Sequence, residues 1–235
     1  MGSDKKFFGK SSSLPVDKFF LNVLYDKEYG YYNKKEPFGS NGDYVTAPKI
    51  SFLFSDIIAI WLISTWENFG KPKNFNIVEL GPGDGSLTKN ILKVFKKFPN
   101  FNNSKNIFLY EISNFLKKLQ KKKIKNNQVK WIKNFREIKK GPVIFFGNEF
   151  FDAIPIKQFK RENGLLLEKY FFIDKNFRIY ERFKKANKRD AKNIESFKSL
   201  NNLKFIEYPK LGLEELKKIV KKVTILKGSI LLIDY

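Results

Sequence analysis

Val78-Glu79-Leu80-Gly81-Pro82-Gly83-Asp84-Gly85 decides how the rest of the chain is read. The apolar run Phe75 to Leu80 in front of the glycines reads as a short strand. Behind them, Ser86 to Phe98 reads as a helix, with apolar residues at Leu87, Ile91, Leu92, Val94 and Phe95. Three alternating glycines between a strand and a helix let the backbone take positive φ and approach a ligand closely. A strand, a glycine loop and a helix in that order form a nucleotide-binding turn.

Working outward, the same alternation repeats. Ile107 to Tyr110 is a second strand, closed by Glu111, and Ser113 caps a helix through Lys122. Gln128 to Ile132 is a third strand. Pro142 to Gly147 is a fourth, apolar throughout, as a buried parallel strand should be. Strands alternating with helices predict an α/β fold with a mostly parallel sheet. On the N-terminal side, Leu14-Pro15-Val16-Asp17 opens a helix that ends in a turn at Tyr29 to Tyr32. A second helix starts at Pro48 or Ser51. Residues 1–72 are therefore expected to be an N-terminal helical addition, and residues 73–235 the sheet domain.

The C-terminal part reads less regularly. Ile156 to Phe159, Leu165 to Ile173 and Phe177 to Tyr180 are expected to form a small antiparallel insertion, at about residues 156–212. Turns fall at Asn163-Gly164 and at Asp174-Lys175-Asn176. Leu213 to Val223 is a helix. Ser229 to Asp234 is apolar enough for a sheet interior, and Tyr235 follows at once. The expectation is a sheet domain incomplete at its C-terminus, with this strand beside an unpaired edge.

The glycine pattern also bears on the ligand. A dinucleotide fingerprint, G-x-G-x-x-G, needs glycine where Ser86 stands. Glu79 lies two residues before the first glycine instead. Acid-x-Gly-x-Gly-x-Gly suits S-adenosyl-L-methionine, which has no pyrophosphate and whose cationic amino-acid end favours a nearby carboxylate. Glu79, Gly81, Gly83 and Gly85 are the expected cofactor cradle. Glu111 is the expected acceptor for the ribose hydroxyls, a role it would play equally for NAD.

Asn148-Glu149-Phe150-Phe151-Asp152 comes after the fourth strand, and ligands bind at the carboxyl ends of parallel strands. Asn148 with Phe151 three residues later resembles the polar-x-x-aromatic turn of amino methyltransferases. Glu149 and Asp152 are spaced to share one side of a turn, where carboxylates orient or deprotonate a guanidinium. The same residues read equally well as a capped loop with core phenylalanines. Asn148, Glu149 and Asp152 are the candidate catalytic residues. Asp43 and Thr46, in the small, polar stretch Phe38 to Pro48, are further candidate contacts to cofactor or acceptor.

Composition narrows the chemistry. The chain has no Cys and no His, which excludes disulfides, thiolate nucleophiles, Cys/His zinc sites and Ser-His-Asp triads within it, so no metal site is expected. Any general base is Asp, Glu, Lys or Tyr. Lys and Arg number 46 against 24 Asp and Glu, a formal charge of +22 that raises the question of a nucleic-acid partner. Arg stands only at Arg136, Arg161, Arg178, Arg182 and Arg189, whereas base readers lean on Arg. Lys travels here with Asn, Phe and Ile, all favoured by AT-rich codons, so the charge reads as compositional drift with no specific nucleic acid. Ile50 to Trp66 is too short and too polar to span a bilayer, and Met1 to Lys10 lacks a signal-peptide pattern. A cytoplasmic location is expected.

Leu24-Tyr25-Asp26, Gly30-Tyr31-Tyr32, Phe38-Gly39, Gly42-Asp43-Tyr44-Val45-Thr46-Ala47-Pro48, the glycine stretch, Asn148-Glu149-Phe150-Phe151-Asp152-Ala153-Ile154-Pro155 and Ile233-Asp234-Tyr235 stand in an order that resembles the MidA/NDUFAF7 family of class I methyltransferases. The resemblance spans nearly the whole chain and implies a Rossmann-like methyltransferase fold with S-adenosyl-L-methionine as cofactor. It implies protein arginine methylation, as in the mitochondrial members that act on a subunit of respiratory complex I during its assembly. A eukaryotic origin would then place the chain in the mitochondrial matrix. Two departures stand out. Asp84 occupies a position where the family usually has Arg, and the family continues well past Tyr235. The rival expectations are a non-catalytic assembly factor that keeps the fold and an NAD-dependent oxidoreductase, the latter disfavoured by Ser86.

Overall fold

The computed structural model describes residues 5–34 and 52–234. The chain divides into two compact units, one of Met1–Tyr31 with Ala153–Glu215, the other of Tyr32–Asp152 with Leu216–Tyr235.

The second unit is built on five strands: β2 (Phe75–Leu80), β3 (Lys105–Tyr110), β4 (Val129–Ile132), β5 (Val143–Asn148) and β10 (Ser229–Ile233). They form one sheet in the order β10-β5-β2-β3-β4, and every pairing in it is parallel. Successive side chains of a strand face opposite sides, so both faces must be covered. Ile77, Ile107, Leu109, Ile144 and Phe146 pack on one face with Ile58, Leu62, Ile63 and Trp66 of helix α3 (Phe52–Asn68) and with Leu87, Ile91 and Phe95 of α4 (Ser86–Phe95). Val78, Leu80, Phe108 and Phe145 pack on the other with Phe135, Ile138 and, from helix α8 (Lys210–Leu226), Ile219. Each such side chain fully buried stabilises the fold by roughly 1.5–3 kcal/mol. This double burial is why β5 is a nearly unbroken apolar run, and why β2, apart from the buried Asn76 and Glu79, is apolar on both faces. It makes the fold the Rossmann-like α/β class expected from the glycine stretch.

Two helices complete the path to the site. Helix α4 ends at Phe95, three residues earlier than the periodicity suggests, because Pro99 opens a separate short helix α5 (Pro99–Ser104). Helix α6 (Asn114–Ile124) starts at its expected cap, with the Ser113 side chain accepting the Leu116 N–H. Among the described residues β10 has one partner, β5, and stands at the sheet edge. Ile230 and Leu232 nevertheless pack into one core cluster and Leu231 and Ile233 into the other, as in an interior strand. No described helix is long and apolar enough to cross a membrane.

The first unit holds strands β1 (Ser13–Pro15), β6 (Lys157–Glu162), β7 (Leu165–Ile173), β8 (Ile179–Lys185) and β9 (Phe205–Tyr208), with helices α1 (Val16–Tyr25) and α7 (Lys188–Glu195). A single helical turn, α2 (Tyr31–Lys34), comes after α1. The sheet is antiparallel in the order β1-β7-β6-β9, and β8 also pairs with β7. The β6–β7 hairpin turns at Asn163-Gly164, both at positive φ as a two-residue turn requires. The third expected strand is displaced: β8 begins at Ile179, not Phe177. The Asp174 carboxylate accepts the N–H groups of Asn176 and Arg178, and Phe177 is held at φ 61°, so the turn consumes the residues assigned to the strand. Strands β1 and β9 add to the pattern that the sequence predicts. Both are short, and β1 carries Pro15, which belongs on an edge.

Candidate functional site

The carboxyl ends of β2, β3 and β5 lie side by side in the sheet, so the loops that leave these strands meet at one rim. After β2 the chain enters Gly81 to Gly85. All three glycines have positive φ, at 58°, 52° and 81°, the left-handed region that side chains resist. The Gly81 N–H donates to the Tyr110 carbonyl at 3.0 Å, which ties the loop to the end of β3. A Cβ on Gly81 would lie 3.0 Å from the ring of Phe150. One on Gly85 would lie 3.2–3.4 Å from Ile124 and Gln120 of α6. The outer glycines are thus required by close packing as well as by conformation.

Asp84, the departure from the family pattern, is buried and satisfied. Its carboxylate accepts the Ser86 N–H at 2.9 Å and the Ser86 hydroxyl at 3.0 Å, and pairs with Lys123 at 2.5 Å. The acid serves the N-terminus of α4, and a lysine of α6 neutralises it.

Glu79 is fully enclosed in β2 and accepts a short hydrogen bond from the Thr88 hydroxyl of α4. Burial pushes its carboxyl up to about 8, the Thr88 bond opposes that shift, and Asp84 adds to it. Such an acid sits neutral until a cation arrives.

Glu111 stands just past β3 and is also buried. One carboxylate oxygen accepts the Ser113 N–H at 2.7 Å, the other the Gln120 side-chain amide at 3.2 Å. Burial raises its carboxyl above the usual range, and the Ser113 and Gln120 bonds pull it back down. Lys117 lies close enough to favour the carboxylate.

After β5 the chain turns sharply. Glu149 takes φ 51°, rare for a residue with a side chain, and its N–H donates to the Ile233 carbonyl at 2.8 Å. Asn148 has a buried side-chain oxygen that meets no hydrogen-bond donor among the described residues. A strained residue beside an orphaned polar atom makes this turn a candidate for contact with a ligand. Phe150 lies against Gly81, Tyr110 and Phe151. The structure therefore brings the glycine loop, Glu111 and Asn148 to Phe150 to the same end of the sheet. Asp152 follows in the next turn and is exposed. The left-handed Glu149 breaks the run, so Glu149 and Asp152 do not share a regular helical turn. Asp43 and Thr46 lie outside the described residues.

Sequence reasoning missed Thr88, Lys123, Gln120 and Trp131. Gln120 left a signal: it interrupts the apolar stripe Leu116, Gln120, Ile124 on an otherwise lysine-rich helix. Lys123 lies far in sequence from the Asp84 that it meets, and nothing local marks Thr88 or Trp131 as a partner of the site.

The residues present fit an S-adenosyl-L-methionine-type ligand. A loop of left-handed glycines adjoins an enclosed acid whose carboxyl burial pushes up to about 8, the kind of group that a ligand cation would ionise. A second carboxylate, held by protein donors, terminates the neighbouring strand.

Residues 57–235 match the model of a family described as "Putative S-adenosyl-L-methionine-dependent methyltransferase". A zebrafish (Danio rerio) protein, Protein arginine methyltransferase NDUFAF7, mitochondrial, is 33% identical over 175 residues, which are 64% of this chain and 42% of that protein. The human (Homo sapiens) protein of the same name is 30% identical over 172 residues, 63% of this chain and 39% of its own length. The chain spans about two fifths of the curated relatives it matches. A solved structure from Burkholderia thailandensis with bound S-adenosyl-homocysteine superposes with a TM-score of 0.74, at 18% identity over 92% of this chain and 57% of that one. At that identity the likeness speaks to the fold.

Proposed function

Since the chain belongs to the family of S-adenosyl-L-methionine-dependent methyltransferases matched over residues 57–235, we propose that it methylates an arginine side chain of a protein substrate. The observation that supports this reading is the closeness of the Phe150 ring to Gly81, which ties the turn after β5 to the glycine loop. When bound, the cofactor supplies a methyl group on a sulfonium, open to in-line attack, and catalysis is then chiefly positioning. In our reading Glu79, Gly81, Gly83 and Gly85 hold the cofactor's amino-acid side and Glu111 its ribose. The orphaned Asn148 oxygen receives an N–H of the acceptor. The carboxylates of Glu149 and Asp152 draw the guanidinium to the rim and take up the proton it loses. Asp43 and Thr46 are carried as further candidate contacts to cofactor or acceptor.

The arginine assignment is supported by the names of the zebrafish and human relatives, and a respiratory complex I subunit is the first substrate to try. The setting we propose is bacterial cytoplasm, or the mitochondrial matrix in a eukaryote.

The test is transfer of labelled methyl groups to arginine- and lysine-bearing protein substrates, with the labelled residue identified by mass spectrometry. Label on arginine is expected. Glu149→Gln and Asp152→Asn should each slow transfer roughly 10- to 100-fold, the loss of one hydrogen bond to a charged group, and barely change the binding of S-adenosyl-homocysteine. Parental rates in both variants would remove the carboxylates from the acceptor site. Cofactor binding with no transfer to any protein would favour a non-catalytic assembly factor instead.

A further inference from the structure

We propose that Gln120 is a positioning residue that locks the glycine loop and the Glu111 carboxylate into one frame, so that the nucleoside half of the cofactor meets a preformed site. The inference rests on the cofactor reading above and extends it to a residue outside the recognised motifs.

Gln120 lies midway along α6 and is wholly buried. Its amide nitrogen donates to the Gly83 carbonyl at 2.7 Å and to the Glu111 carboxylate at 3.2 Å. Its amide oxygen accepts the Trp131 indole N–H at 2.8 Å. The indole is a donor only, so the oxygen must face Trp131 and the nitrogen must face the loop and the acid. One side chain therefore joins α6, the loop after β2, the acid after β3 and strand β4, with no ambiguity in its orientation. Both amide hydrogens and the oxygen are used, which is what makes a buried amide tolerable.

Packing alone does not call for a glutamine here. Leu116 and Ile124, one turn to either side, are apolar, and a third apolar residue would continue their stripe. The polar choice costs desolvation that only its three partners offset. Two of those partners are the middle glycine of the loop and the carboxylate assigned to the ribose, the two groups whose separation the cofactor must match. Gly85 serves the same contact, since a Cβ there would come within 3.3 Å of the Gln120 side chain and the backbone stands at φ 81°. Gln120 also favours the charged form of Glu111, alongside the Ser113 and Ile112 N–H groups and Lys117. A carboxylate already oriented by protein donors gives up less entropy when ribose hydroxyls bind.

The experiment is calorimetry of the full chain with S-adenosyl-homocysteine and with adenosine, for the parent, Gln120→Met and Trp131→Phe, across a pH series. Gln120→Met keeps the length and loses every hydrogen bond. It should weaken both ligands roughly tenfold or more while the protein keeps its circular dichroism spectrum. The pH below which binding fades should also move upward, because Glu111 has lost a donor that favours its charge; a residue that merely fills space would leave that midpoint alone. Trp131→Phe keeps a ring and releases the amide, and should weaken both ligands severalfold. If Gln120→Met does not fold, Trp131→Phe decides. Parental affinity and midpoint in the folded variants overturn the positioning role while the cofactor reading stands. A parent that binds neither ligand overturns the cofactor reading, and the positioning role with it.

Discussion

Glu79 shows how a motif acid behaves before its ligand arrives. A carboxyl pushed up to about 8 by burial binds a proton that the unfolded chain has already released. Its contribution to stability is therefore fully present below the unfolded carboxylate range. It is lost as pH rises from about 4.5 to about 8, and beyond that the curve is flat. We expect the cofactor-free chain to lose on the order of 5 kcal/mol of unfolding free energy from this residue across that window. Glu79→Gln, which keeps the shape and cannot ionise, should flatten the decline and be the more stable protein at alkaline pH. Urea unfolding of both proteins at about pH 5 and about pH 9 checks it; parallel curves would mean that Glu79 is charged throughout. At this scale the sequence is informative where a residue sits inside a motif, as Glu79, Gly81 and Glu111 do. It is silent on Thr88 and Trp131, because nothing local distinguishes a hydroxyl or an indole that will meet a motif from one that will not. Gln120 lies between these cases, legible only as a polar residue breaking an apolar stripe.

Elements are legible where burial imposes a period. Strand β2 runs from Phe75 to Leu80 as its apolar run does, since a strand covered on both faces declares its own length. Strands β1 and β9 have no such signature, for three or four edge residues impose no pattern of their own. The antiparallel unit is also held in part by electrostatics. Lys157 of β6 is buried among Asp17 of α1, Glu168 of β7 and Asp190 of α7, with a short ion pair to Glu168 and 3.5 Å approaches to the other two. Lys210 closes the set on Asp190 at 2.7 Å. The lysine at 157 therefore joins the β6–β7 hairpin to two helices that are far from it and from each other in sequence. Removing it would leave three buried carboxylates near one another, with Lys210 and the Asn187 amide still on Asp190, and loss of one member of a buried ionic set costs about 3–5 kcal/mol. Lys157→Met should lower the unfolding free energy by that amount, and adding Glu168→Gln should restore part of it by deleting one of the stranded charges. Denaturant titration of the single and double variants decides this; a single variant as stable as the parent would mean that the carboxylates take up protons at no cost.

The whole molecule carries a charge that its ion pairs do not balance. With 46 Lys and Arg against 24 Asp and Glu, the cations outnumber the acids that could pair with them. Several rest on aromatic rings: Lys184 lies over both Tyr170 and Phe172, Arg182 over Tyr180, and Lys121 over Trp131. Such contacts orient a cation without cancelling its charge. A surface of this kind repels itself, and the repulsion acts over the Debye length, about 20 Å at low salt and about 6 Å near 0.3 M. Screening should therefore help the folded state more than it harms it, because exposed salt bridges contribute little to begin with. We expect the melting temperature to rise by several degrees when sodium chloride goes from about 20 mM to about 300 mM, with most of the gain complete near physiological ionic strength. Differential scanning fluorimetry across that range, repeated with sodium sulfate at matched ionic strength, separates screening from anion binding. Equal gains in the two salts mark long-range repulsion. A larger gain in sulfate would mean that clustered lysines hold an anion, and a fall in both would mean that ion pairs outweigh the net charge.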